Sequence, residues 1–359
     1  MRVAVVTESF LPQVNGVTRS VQRVCEQLTR LGHTALVVAP GSGPTQWGGV
    51  PVVRTPSVPL PGYRDFRLAR PWAPLTGVLR DFDPDVVHLA SPTVLGAQGA
   101  FAARRLGVPT VAVYQTDLAG FARRYGLAAD RSVWRWLRVV HQIAARTLAP
   151  SRDAVEQLVR NGVPRVAHWA RGVDTVRFSP SHRDDALRRR FAPDGERLIG
   201  YVGRLAHEKS VHLLSALDDV TGTRLVVVGD GPQRASLQRA LPRAHFLGHQ
   251  DGPALSAAFA SLDVFVHTGA HETFCQAAQE ALSSGIPVVG PAAGGLLDLV
   301  APGRNGELFA PGDGADLRRA VLRVLPHREP MSVVARASVQ GRTWDALGEQ
   351  LVGHYREVV

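Results

Sequence analysis

Four residues of this chain combine type and spacing in a way that suggests chemistry: Lys209, the neighbouring Arg204, and the pair Glu272 and Glu280. Lysine and arginine together number 41, yet Lys209 is the only lysine. It closes the run Gly203-Arg204-Leu205-Ala206-His207-Glu208-Lys209, directly after the apolar stretch at 198–202. Codon preference in a GC-rich genome accounts for the arginine excess and leaves the single lysine unexplained. An ammonium is a compact, strongly hydrated point charge on a flexible stem, whereas a guanidinium is a planar fork. Where one ammonium must reach a phosphate oxygen beside an arginine, the two are not interchangeable. Downstream, Glu272 and Glu280 flank residues 273–279. Together these residue types fit a nucleotide diphosphate carrying a sugar. The competing reading of Lys209 is a surface ion pair with Glu208.

The elements that hold these residues are legible as two successive sets. At 359 residues the chain exceeds one ordinary core and suits two domains of about 150–200 residues each. In the first half, β-branched runs at 3–7, 35–39, 52–55, 86–89, 110–114 and 147–149 predict strands alternating with helices. Val17, Val21, Val24, Leu28 and Leu31 recur at helical spacing, and Gly32 stops that helix. Residues 40–74 are rich in Pro and Gly and predict loops with a short strand. The pattern restarts with strands expected at 198–202, 225–228, 245–247, 264–267 and 287–290. A last helix is expected from Trp344 to Tyr355, with Trp344, Leu347, Leu351 and Tyr355 on one face.

Charge and composition narrow the partners. The formal charge of +10 points to anionic partners. Nucleic acid is the weakest of them, because the arginines are scattered and no recognition motif accompanies them. Cys25 and Cys275 lie in different halves without metal-ligand spacing, which argues against a disulfide framework and fits a reducing compartment. No run approaches the roughly 18–20 apolar residues that span a bilayer. The first apolar run, Val3-Ala4-Val5-Val6, is too short for a signal peptide. The expected place is the cytoplasm, free or peripheral on the inner face of the membrane.

Six motifs in order then resemble a known family. They are Pro12-Gln13-Val14-Asn15-Gly16-Val17, Arg171-Gly172-Val173-Asp174, Gly203-Arg204-Leu205 with Glu208-Lys209, and Val228-Gly229-Asp230-Gly231-Pro232. The last two are the Glu272/Glu280 pair with Ala281-Leu282, and Gly285-Ile286-Pro287-Val288-Val289. The whole chain resembles a retaining glycosyltransferase of family 4. The implied fold is α/β GT-B, two Rossmann-like domains facing across a cleft. The expected boundaries are an acceptor-binding domain at 1–172, a nucleotide-sugar-binding domain at 173–340, and a terminal helix at 341–359 packing back on the first. Glu8-Ser9-Phe10-Leu11-Pro12 and Tyr114-Gln115-Thr116-Asp117 look most like actinobacterial GDP-mannose-dependent α-mannosyltransferases.

The resemblance implies roles by position. Arg204 and Lys209 would neutralise the departing diphosphate at a strand end, where open α/β sheets bind ligands. Glu272 would accept hydrogen bonds from sugar hydroxyls and Glu280 from the ribose. The backbone amides of Phe274, Cys275 and Gln276 would face sugar and phosphate at the start of a helix near Phe274. Cys275 is read as a packing residue rather than a nucleophile. Asn15-Gly16 occupies the loop that touches diphosphate or sugar, where a residue without a Cβ lets phosphate approach helix amides. His249 and Gln250, after Phe246-Leu247-Gly248, fall in the stretch that lines the base. Gly229-Asp230-Gly231-Pro232 is read as a structural turn.

One departure matters. Gln115 stands where many family members have histidine, and glutamine cannot relay a proton. Retention then proceeds with the departing phosphate oxygen taking the acceptor proton. Asp117 is either an orienting group or a helix cap before Leu118. No metal cluster is expected, and His267 and His271, which bracket Gly269, have poor metal-ligand geometry. His88 is read as a strand-end histidine with a satisfied ring. Arg123-Arg124-Tyr125, Arg131, Arg135 and Arg138 with Trp134 and Trp136 form either a solvated helix or a face for anionic lipid headgroups. The expected activity is α-mannosyl transfer from GDP-mannose to a glycolipid or another hydroxyl acceptor. The alternatives are a UDP-glucose or UDP-N-acetylglucosamine donor, a sugar-nucleotide epimerase, and a catalytically silent nucleotide-sugar-binding protein.

Overall fold

A computed structural model describes residues 1–60, 63–117, 120 and 130–359. Arg123, Arg124 and Tyr125 of the expected basic face lie outside the described residues, as does Leu118. The chain forms two compact units, one of Met1–Ala170 with Trp344–Val359, the other of Arg171–Thr343.

The first unit is built on strands β1 (Arg2–Val6), β2 (Thr34–Pro40), β3 (Gln46–Trp47), β4 (Val50–Thr55), β7 (Val86–Leu89), β8 (Thr110–Val113), β9 (Arg146–Ala149) and β10 (Val166–His168), with a separate hairpin of β5 (Ser57–Leu60) and β6 (Tyr63–Ala69). The sheet runs in the order β10-β9-β8-β7-β1-β2-β4-β3, and only the β3–β4 pair is antiparallel. Val3 to Val6 are fully buried, as a parallel strand covered on both faces requires. The chain lays β1, β2 and β4 outward in one direction, then returns to place β7 on the other side of β1. The sheet's switch point therefore lies between β1 and β7.

Residues 40–74 hold more strand than the sequence suggests. Two of their prolines sit where a missing N–H does no harm: Pro51 on the strand facing the edge hairpin partner Gln46, Pro59 in the two-stranded β5–β6 hairpin.

The helix Gly16–Arg30 follows the expected periodicity, burying Val21, Val24 and Leu28. Asn15 starts it by accepting from the amides of Val17 and Thr18, each at 3.0 Å. The last helix, Trp344–Arg356, buries Leu347, Leu351, Val352 and Tyr355 in the same core as Val3, Val24 and Leu28. Trp344 is half-buried, and Val352 takes the place on the buried face that the sequence pattern gave to it.

The second unit has strands β11 (Arg197–Val202), β12 (Thr223–Val228), β13 (His245–Gly248), β14 (Val264–Val266), β15 (Val288–Pro291) and β16 (Gly306–Phe309), all parallel in the order β13-β12-β11-β14-β15-β16. Its switch point lies between β11 and β14, which pair through Ile199 with Val264 and Gly200 with Phe265.

Candidate active site

Open α/β sheets bind ligands beyond the carboxyl ends of their strands at the switch point. In the second unit, β11 ends at Val202 and leads to Arg204 and Lys209, while β14 ends at Val266 and leads to His267 and Glu272. Residues far apart in sequence meet there because the two strands are neighbours.

Lys209 closes a short 3-10 turn, His207–Lys209, and its Nζ donates to Glu272 Oε1. The Thr268 hydroxyl donates to the Lys209 carbonyl at 2.6 Å, tying this turn to the end of β14. The surface pair of Lys209 with Glu208 is therefore not formed. Glu208 lies instead 3.9 Å from Arg204, whose side chain is 45% exposed, too open for that ion pair to stabilise much.

His267 is the second cation at Glu272, its Nε2 3.1 Å from the same Oε1. Burial raises the Glu272 carboxyl, but Lys209 and His267 outweigh it and hold the group well below the usual carboxylate range. Burial depresses the His267 imidazole, yet Cys275 and Glu272 beside it lift its pKa to about 9. Burial also depresses the Arg171 guanidinium, to about 10, with Glu272 opposing that shift. Glu272 is thus an ionised carboxylate in a positively charged recess.

The backbone around Glu272 is fixed from two sides. The Gly295 amide donates to the Glu272 carbonyl at 2.8 Å. The helix begins at Gln276 rather than near Phe274, because Cys275 adopts a left-handed conformation (φ 76°) and caps it without a side-chain hydrogen bond. Phe274 and Cys275 are both buried. A helix leaves its first amides without intrahelical partners, which suits an anion. Glu280, one turn along Gln276–Ser283, is half-buried. The Gln276 side chain donates to the Gly172 carbonyl at 3.1 Å and that of Gln279 to Arg171 at 2.9 Å, so this helix also holds the Arg171-Gly172 segment.

The turn Gly229-Asp230-Gly231 sets the position of Arg204. Leu205 donates its amide to the Asp230 carbonyl (2.9 Å) and Tyr201 its hydroxyl to the Arg204 carbonyl (3.1 Å). Gly229 (φ 135°) and Gly231 (φ 154°) leave no room for a Cβ against the Gly203 and Leu205 carbonyls. Gly229→Ala is expected to cost about 2 kcal/mol from the strained φ and the clash. That lowers the melting temperature by roughly 4–8 °C in a unit of this size. An unchanged melting curve would show that the turn yields without cost. Beside it, His249 is exposed and helps lower the pKa of Asp230, behind Gly231 and Arg234, while Gln250 donates to the Leu247 carbonyl at 2.6 Å.

In the first unit, Asn15 and Gly16 follow β1 at that sheet's own switch point. The Asn15 side chain is committed to capping and to Ser9 (2.6 Å). A Cβ on Gly16 would meet nothing within 4 Å. Gln115 donates to the Ala90 carbonyl at 2.9 Å, beyond the end of β7. Asp117 accepts from the Gly120 amide (2.8 Å) and the Tyr114 hydroxyl (3.3 Å), the capping arrangement among its two readings. His88 is paired through Nδ1 with the Tyr355 hydroxyl at 2.7 Å. On helix Asp130–Ile143, Arg131, Arg135, Arg138 and Trp136 are exposed. Trp134 does not belong to that face: it is buried and stacked on Tyr114 (6.4 Å between centroids), because Trp134 and Leu137 fall on the inner side of the helix.

Among the described residues there is no group of three His, Cys, Asp or Glu side chains able to hold a metal ion, and no helix long and apolar enough to cross a membrane.

The comparisons with known proteins bear on the fold and the family. Over 99% of the chain the fold matches Anabaena HepE in complex with UDP (TM-score 0.82, 19% identity, 100% of that chain). It also matches sucrose-phosphate synthase from Thermosynechococcus elongatus (TM-score 0.78, 18% identity, 99% of this chain and 98% of that one). These likenesses define a GT-B glycosyltransferase fold. The profile of Glycosyltransferase Family 4 matches residues 14–177, and that of Glycosyl transferases group 1 matches residues 196–327. A GDP-mannose-dependent alpha-mannosyltransferase of Mycobacterium tuberculosis is 52% identical over 366 residues, covering 100% of this chain and 97% of the relative. A relative of the same name from Corynebacterium glutamicum is 46% identical over 370 residues, covering 100% and 89%. The chain belongs to glycosyltransferase family 4 and is a hexosyltransferase.

Proposed function

We propose that this enzyme transfers an α-mannosyl group from GDP-mannose, with retention and without a metal ion, to a hydroxyl of a glycolipid acceptor. The donor assignment is carried by full-length identity of 46–52% to relatives named for GDP-mannose and α-mannosyl transfer. The unit Arg171–Thr343 holds the nucleotide sugar, and the unit containing Met1–Ala170 presents the acceptor.

In this reading Lys209 and Arg204 neutralise the diphosphate as the glycosidic bond breaks, assisted by the amides at Phe274, Cys275 and Gln276. Glu272 accepts from mannose hydroxyls and Glu280 from the ribose. The stretch with His249 and Gln250 borders the base. The acceptor attacks the face that the phosphate vacates, and the departing phosphate oxygen takes its proton. Gln115 orients the sugar, and neither it nor Asp117 moves a proton. Arg131, Arg135, Arg138 and Trp136 form a face suited to anionic headgroups, which would hold the enzyme peripherally against the cytoplasmic leaflet.

The experiment is a thermal-shift panel with GDP, UDP and ADP in the absence of added metal. A ligand at a hundred times its dissociation constant stabilises the native state by about 2.7 kcal/mol. The expected result is a shift with GDP alone, followed by mannosyl transfer from GDP-mannose to lipid acceptors. A shift with UDP alone overturns the donor, and a shift that needs added divalent metal overturns metal independence.

A further inference from the structure

His267 is unusual for a buried polar residue. It is 4% exposed, and its ring lies nearly parallel to that of Tyr201 (12°, centroids 6.3 Å apart). Its Nε2 lies 3.1 Å from Glu272 Oε1, and Cys275 is the other polar group beside the ring. The ring's close neighbour is Glu272, and the contact falls on Oε1, the oxygen that also receives Lys209. The charged and titratable groups around this ring are Tyr201 on β11, Lys209 on the following turn, and Glu272 and Cys275 on the loop after β14. Arg171 acts on Glu272 as well, and Glu208 on Tyr201.

A donor diphosphate competes with Glu272 for the Lys209 ammonium. Once it turns toward phosphate, Glu272 is a buried carboxylate facing an anionic ligand, a situation that drives protonation or displacement unless another cation stays behind. We propose that His267 is that cation: a positioning residue that anchors Glu272 Oε1 and keeps the carboxylate ionised, so that Oε2 is presented to hexose hydroxyls after Lys209 has moved to the phosphate. The proposal rests on the reading of Glu272 as the hexose contact and Lys209 as the diphosphate contact. Because the neighbours raise the imidazole above its ordinary value, the arrangement is complete near neutral pH and is lost as pH rises through about 9.

The test compares the wild-type enzyme with His267→Gln, Glu272→Gln and the double variant, on the nucleotide sugar that the wild type turns over. GDP affinity is measured by calorimetry, and kcat and KM from pH 6 to 10. In the wild type, kcat/KM is expected to fall through one deprotonation near pH 9. His267→Gln is expected to lose that alkaline limb and about 30–100-fold in kcat/KM. Its GDP affinity should stay within about threefold, since GDP carries no hexose. In the Glu272→Gln background, His267→Gln should change kcat/KM by less than about threefold, because the two residues act as a unit. A retained alkaline limb in His267→Gln, or an equal loss in both backgrounds, overturns the proposal. Should His267→Gln fail to fold, the wild type decides alone: a flat kcat/KM between pH 7 and 10 overturns it. Failure of the wild type to bind GDP or use GDP-mannose counts against the donor assignment instead, and the His267 comparison then runs on the donor that is used.

Discussion

Lys209→Met is expected to fold and to transfer hexose about a hundred- to a thousandfold more slowly than wild type. Removing one preorganised charge that faces a developing anion costs on that order. No second lysine exists in the chain to replace it. Glu272 keeps His267 after the substitution, so the carboxylate is not left as an isolated buried charge, and folding survives with reduced stability. Lys209→Arg is expected to recover little, because a planar guanidinium fork does not reproduce the contact of a single compact ammonium. Steady-state kinetics with the donor varied checks this, with circular dichroism to confirm the fold. Transfer within threefold of wild type would remove Lys209 from the phosphate role.

Truncation after Thr343 is expected to leave no folded first unit. The helix Trp344–Arg356 contributes Leu347, Leu351, Val352 and Tyr355, each at most 3% exposed, to the core of that unit. At about 1.5–3 kcal/mol for each buried side chain, their loss is comparable to the whole stability of an ordinary domain, about 5–15 kcal/mol. Two buried hydrogen bonds go with them, Trp169 Nε1 to the Leu347 carbonyl (2.9 Å) and the His88–Tyr355 pair. Tyr355→Phe isolates one of these, and leaves His88 without its buried partner at a cost of about 1–3 kcal/mol. A truncated protein that still melts cooperatively in two transitions would show that the helix is dispensable.

Much of this fold is legible in the sequence, because parallel strands covered on both faces read as short runs of Val, Ile and Leu. The runs at β1, β2, β7, β11 and β12 lie within two residues of their expected positions. Strand β10 has three residues, and β16 carries Gly306 and Glu307, so neither offers a hydrophobic run; pairing with β9 and β15 makes them strands. The hairpin of β5 and β6 is hidden by prolines that edge pairing tolerates.

At the site, composition alone singles out Lys209, and motif spacing singles out Glu272. Their pairing is not legible, since it spans 63 residues and depends on β14 lying beside β11. His267 is visible in the sequence but suggests only a poor metal ligand. Its place against Glu272 follows from where β14 ends, a tertiary fact with no local signature.

The solitary lysine also makes the protein its own reporter. Apart from the chain's amino terminus, an amine-directed label has a single aliphatic amine to find, and that amine sits against Glu272 in the proposed nucleotide-sugar site. Reductive methylation with carbon-13 formaldehyde would therefore place one side-chain resonance in the spectrum of a 38.6 kDa enzyme. Its chemical shift would follow the ammonium as it leaves a carboxylate for a phosphate, with no mutation and no assignment campaign.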